Sequence, residues 1–121
     1  MLIEVSDGEI IDKLTIIEIK LKYIQDPAKR NNLEAELEVL NQAASTILDK
    51  NHELYKKLYD INHKLWLIED DCRLFEKNQD FGAAFVETAR SVYKTNDERA
   101  MVKKEINQLT GSRLTEEKSY Q

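Results

Sequence analysis

Apolar residues recur every seven positions through the middle of the chain, at Leu33, Leu40, Ile47, Leu54, Ile61, Ile68 and Phe75. A second row, Leu37, Ala44, Asn51, Leu58, Leu65 and Cys72, fills the alternating four- and three-residue spacing. No proline or glycine interrupts the run between Pro27 and Gly82. Such a ladder predicts a helix that buries one seam against another helix. Its phase holds through the polar stretch Asp49-Lys50-Asn51-His52. One long helix over 27–78 is therefore expected, on the order of 75 Å at 1.5 Å per residue. A pair of helices kinked near 49–52 is the alternative. Asn51 falls on the seam, where a polar residue sets register and partner number. Beyond it, Tyr55, Tyr59, Trp66, Leu67 and Leu74 widen the apolar surface. The second half of the helix reads as core and the first half as a projecting arm.

The flanks carry shorter patterns. Leu2 to Val5 read as an extended segment lying against the first helix. Ser6 followed by Glu9 has capping-box spacing and starts a helix over 7–25. Ile10, Leu14, Ile17, Leu21 and Ile24 form one apolar stripe on it, and Ile16, Ile19 and Tyr23 another on the opposite side. A helix apolar on two sides needs neighbours on both, within a bundle or between subunits. Asp26-Pro27 punctuates the chain and opens the long helix. Phe81, Phe85, Ala89 and Val92 predict a helix over 81–94. Thr95 with Glu98 repeats the capping-box spacing, so a separate helix is expected over 96–110, stopped by Gly111. A polar tail over 111–121 completes a single helical domain, 1–121. The expected fold is all-α: a helical bundle built on one long central heptad-patterned helix with three shorter ones.

Composition sharpens this in three ways. Only three Gly and one Pro in 121 residues suit helices better than turn-rich sheets. The formal net charge of −5 argues against a phosphate-backbone grip, so no nucleic-acid partner is expected. The single cysteine, Cys72, excludes an intrachain disulfide and reads as a small seam hydrophobe. No bilayer-length apolar run and no signal-peptide pattern is visible, so a cytoplasmic protein without membrane association is expected.

A seam too long for its own short helices to cover predicts a homo-oligomer. Acidic stretches alternate with basic ones along it: Glu34 and Glu36, then Lys50, Lys57 and Lys64, then Glu69, Asp71 and Glu76. That alternation favours an antiparallel dimer.

Candidate chemistry is sparse. Glu9 and Asp12 form an E-x-x-D pair on the first helix. All-helical nucleotide pyrophosphatases of the MazG type hold Mg²⁺ with repeated pairs of this kind. Here there is a single pair, and a cap plus an ion pair to a neighbouring lysine accounts for it. Glu69-Asp70-Asp71 point in different directions on a helix and cannot share one ion, so they are expected to pair with Arg90, Lys94 or Arg99. Arg90 and Lys94, with Arg99 and Lys103, could form an anion pocket facing Lys13 or Lys20. A helical shikimate-pathway mutase binds its dicarboxylate with such groups. His52 and His63 are solitary, and no nucleophile elbow, Gly-rich phosphate loop or C-x-x-C occurs. No catalytic residue, metal ligand or cofactor is assigned.

Several stretches read as motifs: V-S-D-G-E-I-I-D-K-L-T-I-I-E-I-K from Val5 to Lys20, I-E-D-D-C-R from Ile68 to Arg73, and A-R-S-V-Y-K-T-N-D-E-R-A from Ala89 to Ala100. K-x-x-I-N from Lys103 to Asn107 and G-S-x-L-x-E-E-K-S-Y from Gly111 to Tyr120 join them. Together they resemble an uncharacterised family of small all-helical bacterial proteins, over most of the chain and least well from Ala28 to Asn62. The resemblance implies a cytoplasmic protein of bacterial or phage origin and a tail that docks on its own bundle or on a partner. It implies no activity.

The resulting expectation is a non-catalytic interaction or scaffolding protein that self-associates and could take a further protein partner. The alternative is a small-molecule enzyme or binding protein, mutase-like or pyrophosphatase-like. Its inter-helix site would use Glu9, Asp12, Lys13, Glu18, Arg90, Lys94, Asn96, Asp97 and Arg99.

Overall fold

The computed structural model describes residues 1–119. Tyr120 and Gln121, the end of the expected tail and of the E-E-K-S-Y motif, lie outside the described residues. Among those described there are four helices and no strand: α1 (Asp7–Tyr23), α2 (Pro27–Ala44), α3 (Glu53–Lys77) and α4 (Ala83–Thr110). The all-α class stands. The single central rod does not.

The chain breaks between Ala44 and Glu53 because side chains there compete for the backbone. Ser45 Oγ and Thr46 Oγ1 donate back to the carbonyls of Gln42 and Ala43. Asp49 Oδ1 then accepts from the Asn51 amide, and His52 Nδ1 accepts from the Leu54 amide as the cap of α3. The two helices on either side of this loop pack on α1 and not on each other. The heptad phase survives because both helices turn their apolar rows inward. The rod argument for an antiparallel dimer thereby loses its premise, since much of the seam is used within one chain.

A second expectation fails in the opposite direction. The predicted boundary between helices 81–94 and 96–110 is absent, and α4 is continuous over 28 residues. Thr95 is buried inside it rather than capping. Capping-box spacing is also ordinary i, i+3 spacing, and no glycine or proline breaks Ala83 to Thr110.

Helix α1 is the centre of the molecule, touching α2, α3 and α4. Its two apolar stripes are both used, as the sequence predicts. Ser6 caps it by accepting from the Glu9 amide at 3.2 Å. Gly111, at φ 70°, ends α4 in the left-handed region. The core joins Ile11 and Leu14 of α1 with Ala44, Leu48, Tyr55, Leu58, Ile61, Val102 and Ile106. Leu14, Leu58 and Ile106 are wholly out of solvent, each contributing roughly 1.5–3 kcal/mol. Leu2 and Ile3, expected against α1, are instead exposed.

The projecting part is not the one the sequence suggests. No residue from Trp66 through Lys94 is buried. The end of α3 and the start of α4 form a hairpin arm held by its own seam, including Phe75 edge-on to Phe85 and Phe85 edge-on to Phe81.

Candidate functional site

Polar side chains converge where α1 meets α3 and α4. Asp12, one turn into α1, is 1% exposed. Arg99 of α4 grips both its oxygens, through Nε at 2.9 Å and Nη2 at 2.5 Å. Asn62 of α3 donates through Nδ2 to Asp12 Oδ1 and to Thr15 Oγ1, each at 2.9 Å. Thr15 in turn donates to the Asp12 carbonyl. Lys103, one turn beyond Arg99, binds Glu9 at 2.6 Å and lies 3.7 Å from Asp12. Glu9 thus supplies an ion pair, and only the Ser6 half of the expected capping box is made.

The network continues to the chain ends. Gly8 donates its amide to Asn107 Oδ1 at 2.6 Å, and Thr110 Oγ1 donates to Asp7 at 2.7 Å. Ser112 Oγ accepts from the Asp7 amide, and Ser6 Oγ donates to Glu116 at 2.7 Å. Arg113 grips Glu4 through two bonds. The described part of the tail therefore docks on its own chain through Ser112, Arg113 and Glu116. The order of these contacts, from Asp7 with Thr110 to Asp12 with Arg99, sets α1 and α4 antiparallel.

Burial would push the Asp12 carboxyl up, but the Arg99 hydrogen bonds and charge, the Asn62 amide and the Lys103 charge outweigh it. Asp12 is held below the usual carboxylate range. Its contribution to stability is therefore complete above the unfolded pKa of about 3.9 and is lost as pH falls through the folded value. The urea midpoint should be nearly flat between about pH 7 and about pH 5, then fall below about pH 4. In Asp12→Asn that fall should be shallower. An equally steep fall in the variant would assign the acid limb to other carboxylates.

Of the sequence-predicted site residues, Glu9, Asp12 and Arg99 meet here, with Asn96 at the edge, 3.4 Å from Arg99 Nη1. Glu18 lies elsewhere, bonded to Lys50 at 3.1 Å and to the Tyr55 hydroxyl. Burial and then that carboxylate push the Tyr55 phenol far up. Lys13 and Lys94 are exposed, and Asp97 takes no part in the network. Arg90 forms an exposed pair with Glu87, not with the acidic cluster. Asp70 pairs with Arg73, one turn along the same helix. The expected nine-residue site therefore does not assemble.

Sequence reasoning missed Asn62 and Thr15. Both sit beside apolar seam positions, and a polar residue there needs a buried partner. The arrangement neutralises its carboxylates. Both Asp12 oxygens and Glu9 Oε2 are committed to Arg99, Asn62 and Lys103, unlike a pyrophosphatase pair whose carboxylates face a divalent cation. Among the described residues, no group of three or more His, Cys, Asp or Glu side chains is placed to hold a metal ion. Among the described residues, no helix is long and apolar enough to cross a membrane.

No curated protein and no solved structure matches the chain. A family of unknown function (DUF6165) matches it from residue 1 to residue 121, and the chain belongs to that family.

Proposed function

We propose that this is a non-catalytic helical interaction protein that self-associates through the α3–α4 arm. The observation that carries the reading is the unburied stretch from Trp66 through Lys94. A two-helix hairpin cannot enclose its own apolar seam. Ile68, Cys72, Phe75, Phe85, Ala89 and Val92 are only half-buried along it. Leu67 with Leu74 and Val86 with Tyr93, each pair seven apart and so on one helix face, are 46–57% exposed. Two such arms packed together would make a four-helix bundle and cover these surfaces.

Charge favours a second copy as the occupant. From Glu69 to Lys77, α3 carries Glu69, Asp70, Asp71 and Glu76 against Arg73 and Lys77, a net −2. From Ala83 to Lys94, α4 carries Arg90 and Lys94 against Glu87, a net +1. A two-fold axis places α3 of one arm beside α4 of the other, so opposite signs meet. This is a different dimer from the rod pairing expected from the sequence.

Light scattering should give twice the 14.1 kDa mass of one chain. Leu74→Lys with Tyr93→Lys, both at exposed positions, should keep the helical spectrum and weaken association at least about tenfold. A wild-type protein that stays monomeric at high micromolar concentration would sink the proposal. So would a lysine variant that dimerises as tightly as the wild type.

A further inference from the structure

At the base of the arm, where Trp66, Glu69 and Arg73 face the bundle, a second surface has the character of a ligand site. A cavity of about 290 Å³ opens between α1, α3 and α4. Ile16, Ile19, Leu65 and Trp66 give it apolar walls. Its polar lining is mostly cationic: Lys20, Arg73 and Arg99 against the single carboxylate Glu69, in a chain of net charge −5. Arg99 is committed to Asp12. Arg73 meets Asp70 only in an exposed pair, which water screens. Among the described residues, Lys20 has no ion-pair partner.

Trp66 supplies a second, independent observation. Its indole N–H is the one buried side-chain polar group without a hydrogen-bond partner among the described residues. Leaving such a donor unpaired costs about 1–3 kcal/mol, so an orphaned indole N–H marks Trp66 as a side chain held at a cost to the fold. One face of the ring is already stacked on Tyr23, at 5.5 Å between centroids and 16° between planes. An aromatic wall, aliphatic neighbours and a surplus of cations define the chemistry of the occupant.

We propose that this cavity binds a small organic anion with a planar apolar body, packed against Trp66 and held by Lys20 and Arg73. The anionic group could be a carboxylate or a phosphate, and the experiment separates the two. Trp66 is the only tryptophan, so intrinsic fluorescence reports from the site itself. Benzoate and phenyl phosphate are titrated in parallel, with benzyl alcohol as the neutral control. At least one anion should change the emission saturably, with a half-point of about 0.1–1 mM, and should raise the melting temperature. Benzyl alcohol should do neither. Lys20→Met keeps the stem and removes the charge, and should weaken the binding about tenfold. The inference is overturned if neither anion saturates, if benzyl alcohol matches them, or if Lys20→Met leaves the affinity unchanged.

Discussion

Replacing Arg99 by alanine is expected to destabilise the fold by about 3–5 kcal/mol, a fall in melting temperature of roughly 10–20 °C for a domain of this size. The size of the effect follows from what is left behind. Asp12 is 1% exposed and loses its two-bond partner, while Lys103 stands at 3.7 Å and is already bound to Glu9. Asn62 still donates one bond, which does not neutralise a charge. The same change at Arg90 removes only an exposed pair with Glu87 and should stay within about 0.5 kcal/mol. The mechanism is testable apart from its magnitude. If the damage comes from an uncompensated buried carboxylate, adding Asp12→Asn to Arg99→Ala should recover about 1–2 kcal/mol. Urea denaturation of the four proteins in the cycle decides it. A double variant no more stable than Arg99→Ala alone would show that Arg99 acts through packing of its stem.

This network also marks the boundary of what the sequence discloses. Local signals whose physics is local are readable: the Ser6 cap, the Asp26-Pro27 break, the Gly111 stop and the two-sided apolar pattern of α1. Each depends on a few neighbouring residues. The loop from Ser45 to His52, where the sequence offers a kink near 49–52 only as the alternative, is masked by a helical phase that continues across side chains competing with the helix. Four such residues, Ser45, Thr46, Asp49 and Asn51, lie within it, and they are the better signal. The misplaced boundary at Thr95 is the converse, a capping pattern overruled by tertiary burial. For the site, an ion pair for Asp12 is readable, since a buried helix carboxylate needs a cation. That its partner is Arg99 more than Lys103, and that Asn62 and Thr15 complete the shell, depends on how α3 and α4 cross α1. The sequence points to an arm before Asn51, and the structure has it after Trp66, for the same reason. Which half of a seam stays uncovered is a property of the packing.

Gly8→Ala is the second large effect, and two opposing contributions decide its sign. Alanine is the better helix former by up to about 1 kcal/mol, so on propensity alone the change would stabilise α1. A methyl group at Gly8, however, would lie 2.5 Å from the Lys103 carbonyl oxygen and 3.0 Å from Asn107 Oδ1. The first of these is backbone in the middle of α4 and cannot swing away. Helices α1 and α4 would have to part, stretching the buried Gly8 to Asn107 bond now at 2.6 Å and the Lys103 to Glu9 pair beside it. Overpacking of this kind costs about 1–3 kcal/mol and the strained bond about 1 more, so the net loss should be about 2–3 kcal/mol. The other glycines calibrate the result. Gly111 has open space but sits at φ 70°, and alanine there should cost about 1 kcal/mol through backbone strain. Gly82 has ordinary φ and its nearest neighbour at 3.5 Å, and alanine should cost no more than about 1 kcal/mol through the weaker cap. Denaturant melts of the three single variants should rank Gly8→Ala lowest by a clear margin. If Gly8→Ala is as stable as Gly82→Ala, α1 and α4 are not in close contact at this point, and the packing that holds Asp12 against Arg99 does not extend to the start of α1.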